Sequence, residues 1–174
     1  MWYVIQVMTG KEEYIRSQCE RVIDKTVLED SFIPYYEEKK KYKGEWHTDK
    51  KVLFPGYVFM VSDALSELFE SLRKVTGLTK LLGTGEEIIP LTKDEVQRLE
   101  RLGKNEHVVE MSVGVIENEK VRILEGPLQG MEGCIRKIDR HKRKAWVEIE
   151  MFGGMRMMEV GCEIVGVKSA SRTI

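Results

Sequence analysis

Nine consecutive residues, Arg136 to Lys144, hold six Lys/Arg side chains against one Asp, a local charge of +5 with His141 neutral. Cations at this density suit phosphate chemistry. Each one that reaches a phosphate releases condensed counterions, which gives nucleic-acid affinity with a strong salt dependence. Arg136, Arg140 and Arg143 add planar, bidentate and stacking contacts that lysine cannot make. Composition alone leaves the plainer reading open, because a charge run is commonly a solvated turn. A second basic stretch, Lys39-Lys40-Lys41-Tyr42-Lys43-Gly44-Glu45-Trp46, is too polar for a core and reads as a protruding loop or hairpin tip. A third feature is Phe54-Pro55-Gly56-Tyr57-Val58-Phe59-Met60. Pro55 and Gly56 kink or break a strand, and Tyr57 and Phe59 then alternate onto one face, opposite Val58 and Met60. If helices cover one face only, the aromatic pair is left exposed as a partner surface.

Catalytic chemistry finds no support. His47, His107 and His141 lie far apart in polar segments without metal-ligand spacing, and no nucleophile elbow or phosphate-binding glycine loop is present. Neither catalytic residues nor a metal nor a cofactor is expected; convergence of His47, His107 and an acid in one pocket would reopen an enzyme reading. Cys19, Cys134 and Cys162 are scattered and form no CxxC pair, so they read as reduced, mostly core thiols of a cytoplasmic protein. No apolar run approaches the ~20 residues of a membrane span, and no basic segment precedes the first apolar run, so neither a membrane contact nor a secretion signal is expected.

The elements that position these residues fall into two regimes. Residues 1–102 alternate strand and helix signals. Trp2–Val7 is a strand run, and Thr9-Gly10-Lys11-Glu12 is a capping-box pattern opening a helix with Ile15, Cys19, Val22 and Ile23 inward. Leu65, Leu68, Phe69 and Leu72 form a second helical stripe, with Ser62 or Asp63 as cap. Thr92-Lys93-Asp94-Glu95 opens a third helix, with Val96, Leu99 and Leu102 inward. Strands are predicted at 32–36, 52–54, 57–61, 79–82 and 88–89. From Val115 five short runs follow, 121–124, 134–138, 145–151, 156–160 and 164–167, cut by turns that include Gly126-Pro127 and Gly161-Cys162. The fold class is therefore α+β: an N-terminal α/β sandwich over 1–102, a linker over 103–114 and a small all-β barrel over 115–174. The formal net charge of −1 splits into −2 for 1–102 and +2 for 115–174, so nucleic-acid contacts must come from local clustering.

Four pieces in order then carry a resemblance over nearly the whole chain: Trp2-Tyr3-Val4, the Phe54–Phe59 segment, Val75-Thr76-Gly77 leading to Leu82-Gly83, and the glycine-centred hairpin Lys120 to Ile135. The chain resembles NusG-type transcription elongation factors. The resemblance implies an NGN-like domain that binds bacterial RNA polymerase at the clamp, through Gln6, Phe54, Pro55, Tyr57 and Phe59, and a KOW domain with an SH3-like barrel. It also places the polar arm 39–51 near the DNA or on the opposite side of the cleft, with non-template DNA as a further candidate partner. Housekeeping members follow the penultimate barrel turn with Phe-Gly-Arg. Here Phe152-Gly153-Gly154-Met155-Arg156-Met157-Met158 stands instead, alongside the dense basic run. Those departures are most similar to the LoaP group of specialised, operon-specific antiterminators.

That likeness implies RNA contacts by Arg136, Lys137, Arg140, His141, Lys142, Arg143, Lys144 and Arg156. It implies an RNA hairpin in a leader transcript as partner and a monomer that promotes processive antitermination. A regular RNA helix hides its bases in a deep, narrow groove, so specific binding needs a loop, bulge or widened groove. The alternative is a general NusG-type elongation or termination factor whose KOW domain binds protein partners, a ribosomal protein among them. A ribosomal KOW protein would not need the N-terminal domain.

Overall fold

The computed structural model describes residues 1–75 and 88–169. In chain order the elements are β1 (Trp2–Gln6), α1 (Glu12–Val22), β2 (Asp30–Phe32), β3 (Tyr35–Tyr42), β4 (Glu45–Val52), β5 (Tyr57–Val61), α2 (Leu65–Leu72) and β6 (Ile89–Pro90). There follow α3 (Lys93–Gly103), β7 (Val108–Val109), β8 (Ser112–Glu117), β9 (Lys120–Glu125), β10 (Ile135–Asp139), β11 (Lys144–Met151) and β12 (Gly154–Lys168). Two compact units result: Met1–Pro34 with Phe54–Gln97, and Tyr35–Leu53 with the chain from Arg98 onward. The α+β architecture is the expected one. The strand expected at 79–82 and the Thr76-to-Gly83 part of the recognised pattern lie outside the described residues. Among the described residues no helix is long and apolar enough to cross a membrane.

The first unit is built on a sheet of order β2-β5-β1-β6. Its central strand β5 pairs antiparallel with both β1 and β2, so it is covered on both edges. Val58, Phe59 and Met60 are all fully buried, which means both faces of β5 are covered too. Helix α1 buries Ile15 and Cys19, and burial pushes the Cys19 thiol up to about 12. Val22 and Leu65, both expected to face inward, are exposed.

Two of the three helix starts differ from the expected capping. At Thr92 the reciprocal box forms: Glu95 N–H donates to the threonine Oγ1, and Thr92 N–H donates to the Glu95 carboxylate, each at 3.2 Å. At the start of α1 no hydroxyl cap is made. The buried Glu12 carboxylate instead accepts from Gly10 N–H at 2.9 Å and from Gly56 N–H at 2.7 Å, tying the helix to the turn before β5. Ahead of α2, Ser62 Oγ accepts from Ala64 N–H, outside the helix.

The second unit holds a sheet of order β10-β11-β12-β8-β9 and a second of order β4-β3-β7. The turn expected at Gly161-Cys162 is absent. Both residues are buried inside β12, a single 15-residue strand. Its first part pairs antiparallel with β11 and its second part parallel with β8. Gly161 permits this continuity, since a Cβ there would collide with the Glu37 carbonyl and the Met111 sulfur. Gly126 does turn the chain, at φ +105°, where a Cβ would meet Ser112 Cα at 2.6 Å. Residues 103–114, expected as a linker, carry the end of α3, a 3-10 turn at Lys104–Glu106, β7 and the first residues of β8. β7 pairs parallel with β3, and β3 pairs antiparallel with β4 from Tyr35↔Val52 to Tyr42↔Glu45, so the polar arm is a regular hairpin.

Glu12→Ala should destabilise the protein by about 2–3 kcal/mol, because it strands two backbone donors. Thr9→Ala, at an exposed residue that caps nothing, should change stability by less than about 0.5 kcal/mol. Urea denaturation of the two variants checks the contrast.

Candidate nucleic-acid interface

The basic run is folded as strand β10, a tight turn and the start of β11. Asp139 accepts the Lys142 backbone N–H at 2.9 Å, and that bond is the main cause holding its carboxyl below the ordinary value. Arg143 closes the turn with a left-handed φ of +54°. The one acid of the run is therefore committed to shaping the turn, and Arg140, His141 and Lys142 stand exposed. A concavity of about 650 Å³ opens beside them, lined on one side by Lys137, Arg140, His141 and Arg143 and on the other by Glu163 and Ile164.

The remaining cations of the run are partly engaged. Lys137 lies over the Trp146 ring, 4.8 Å from its centroid. Arg136 donates to the Gly133 carbonyl at 2.8 Å and sits 3.9 Å from Glu148. The Arg143 guanidinium stacks 3.7 Å above the Trp46 ring, with Glu163 at 3.4 Å. Arg156, expected to join the cluster, pairs with Ile149 in register while Lys144 pairs with Gly161. That places it about 16 Å along β11 from the turn, at ~3.3 Å per residue.

Lys144 corrects the expectation most sharply. Its residue is only 7% exposed, and its ammonium lies 2.5 Å from Glu38 and 3.3 Å from Glu159. Glu159 also accepts the Tyr36 hydroxyl at 2.9 Å. Lys51 and Lys40 reach the same Glu38 carboxylate at 3.4 and 3.5 Å. Burial alone would raise the Glu38 carboxyl, but the hydrogen bond and charge of Lys144, aided by Lys51, hold it below its ordinary value. Burial likewise opposes the Lys144 charge, and its bond to Glu38 with the charges of Glu159 and Glu38 raises it above the ordinary value. This lysine is a structural counter-ion and is not available to a phosphate.

Sequence reasoning did not connect the lysine-rich hairpin with this turn. The structure does so inside one unit, through Glu38–Lys144, Tyr36–Glu159, Lys39–Glu163 at 3.3 Å and Trp46–Arg143. The visible signal was Trp46, an aromatic placed in an otherwise polar arm.

In the first unit the five expected polymerase-contact residues divide. Gln6 donates to the Tyr57 hydroxyl at 3.1 Å across the β1–β5 pair, both are partly exposed, and Pro55 is exposed. Phe54 and Phe59 are buried, at 5% and 0% exposure. Phe59 stacks on Phe32 with centroids 5.3 Å apart, and Phe54 lies 6.1 Å from Phe59. Of the expected exposed pair only Tyr57 reaches the surface, and Phe59 is core because β5 is covered on both faces there. Among the described residues no group of three or more His, Cys, Asp or Glu side chains is placed to hold a metal.

The chain thus joins an α+β unit on an antiparallel sheet to a unit with a five-stranded β sheet, and likeness to known proteins supplies its class. The family model described as transcription termination factor nusG matches residues 1–100. The NusG protein of Bacillus subtilis is 28% identical over 160 residues, covering 87% of this chain and 89% of that protein. NusG of Thermus thermophilus is 30% identical over 166 residues, covering 87% and 90%. The solved structure of Thermotoga maritima NusG superposes with a TM-score of 0.57 over 94% of this chain and 93% of that one, at 23% identity. The chain belongs to the NusG family, whose members are transcription factors and not enzymes.

Lys144→Ala should cost about 2–3 kcal/mol, because the buried Glu38 loses its nearest partner and keeps only the more distant Lys51 and Lys40, whereas Lys142→Ala at the exposed turn should stay within about 0.5 kcal/mol. The buried pair also sets a pH window. Glu38 titrates below its ordinary 4.5 in the folded state, so its contribution is complete above 4.5 and is lost as pH falls through the lowered value. Lys144 titrates above its ordinary 10.5, so its contribution is complete below 10.5 and is lost as pH rises through the raised value. Urea midpoints measured across pH should follow this course in the native protein, and the acid limb should be shallower in Glu38→Gln, where Asp24, Asp63 and Asp139 still contribute to it.

Proposed function

We propose that this NusG-family protein is an operon-specific elongation factor of the LoaP type. Residues 1–102 bind RNA polymerase at the clamp, and residues 115–174 bind a hairpin in a leader transcript, promoting processive antitermination. The observation that carries the reading is the Arg140-His141-Lys142 turn. Its single acid is engaged by the backbone, its cations are exposed, and an open concavity lies beside it. Such a surface meets phosphate with a salt-dependent affinity, and its arginine adds stacking and bidentate contacts. The RNA-contact set narrows to Arg136, Lys137, Arg140, His141, Lys142 and Arg143. On the polymerase side Gln6, Pro55 and Tyr57 form the contact, and Phe54 and Phe59 support it from below. Covalent linkage of the two sites raises the effective concentration of each for its target, so two modest affinities combine into selective recruitment. The protein acts as a cytoplasmic monomer.

A second reading, a general factor whose KOW domain binds a protein partner, draws support from β12. Met155, Met157, Val165 and Val167 are more than half exposed along that strand.

The deciding measurement enriches hairpin RNAs from a random-loop pool on the protein and compares the enriched with the starting pool at matched salt. Tight binding of the enriched pool is expected, with a log–log salt slope that falls by about 2 in Arg140→Ala/Lys142→Ala. An enriched pool that binds no better than the starting pool would overturn the specialised reading in favour of the general one. Tyr57→Ala should weaken binding to purified polymerase several-fold while leaving RNA affinity unchanged.

A further inference from the structure

Resting on the RNA-binding reading of the barrel turn, we infer that the β3–β4 hairpin is the second wall of the same site. It receives the unpaired nucleotides of the RNA loop, stacking their bases on Trp46 while its lysines meet their phosphates. A cleft of about 370 Å³ separates the two walls, lined by Lys39, Lys40, Lys41 and Trp46 on the hairpin and by His141 and Lys142 on the turn. Glu38 and Lys144 also line it, but they neutralise one another. The cleft therefore presents cations to a ligand.

The aromatic side chains say which part of an RNA fits. Trp46 is 42% exposed, and the Arg143 guanidinium 3.7 Å above its ring covers and orients one face. Trp46 pairs with Lys41 in register, so ring and ammonium share a side of the hairpin. At the tip, Tyr42 is 62% exposed with Lys43 5.4 Å from its centroid and His47 edge-on at 6.2 Å. Exposed rings interleaved with lysines bind nucleotides whose base faces are open. A continuous duplex offers no such faces, whereas the loop of a hairpin does. The ion pairs Lys39–Glu163 and Glu38–Lys144 hold the arm beside the turn, so a strand leaving the turn meets the cleft directly.

The test uses full-length protein and two RNA probes at matched salt. One is a hairpin with a loop of about eight unpaired nucleotides, and the other is the same stem as a blunt duplex. Trp46→Ala should weaken hairpin binding about tenfold with little change in salt slope, and Trp46→Phe should restore most of it. Lys40→Ala/Lys41→Ala, at exposed positions, should reduce the slope by about 1 to 2. Neither change should affect the duplex. If both variants bind the hairpin as the native protein does while Lys137→Ala/Arg140→Ala/Lys142→Ala loses binding, the hairpin wall is overturned and the barrel turn stands. If that triple variant also binds normally, the underlying RNA reading fails instead. A DNA hairpin of the same sequence binding equally well would overturn the assignment of the cleft to RNA.

Discussion

The second unit depends on a buried ion pair. Glu38 comes from a hairpin whose outer part, from Lys40 to Lys50, is solvent-exposed, and Lys144 from the first position of a barrel strand. Two charges withdrawn from water are tolerated only when each is met closely, and here both have several partners. Geometry follows from that requirement. With Lys144 held by Glu38 and Glu159, β11 begins at a defined point, and the turn preceding it must project its other cations outward. One lysine of the basic run is thus given up to fix the direction of the rest.

A related division of labour shapes the first unit. Phe32, Phe54 and Phe59 pack together beneath the Gly56 turn, and the Glu12 carboxylate ties that turn to the start of α1. The residues left at the surface, Pro55, Tyr57 and Gln6, are positioned by this packing. The Gln6–Tyr57 hydrogen bond orients two side chains across neighbouring strands. Rigid support behind a small polar-aromatic surface limits the entropy lost when a partner binds.

Much of this was legible in the residues. Helical stripes, the Thr92 capping box, the Gly126 turn and the β-rich C-terminal half follow from local periodicity and backbone preference, which act within a few residues. The misjudged features are set by contacts distant in sequence. Nothing near Lys144 marks it as different from Lys142, because the difference is a carboxylate more than a hundred residues away. Phe59 alternates with Val58 as a half-exposed strand would, and only the burial of both residues in the fold shows both faces covered. Gly161 has the sequence signature of a turn but serves close backbone approach. Arg156 lies near the basic run in sequence, yet the antiparallel register carries it to the far end of β11.

The unbroken β12 has a consequence for how such a protein can diversify. Its side chains alternate against β11 over its first half and against β8 over its second, so an inserted or deleted residue turns the following side chains to the opposite face unless a bulge absorbs it, as the register shift between Ile164 and Gly166 does. A change of length there carries a packing cost. The tips at Lys43-Gly44 and Arg140–Arg143 carry no such constraint, since each lies beyond the last paired residues of its hairpin. An insertion at either tip would lengthen a loop that carries exposed cations without shifting the strand register, and so would change the ligand surface while the core stays as it is.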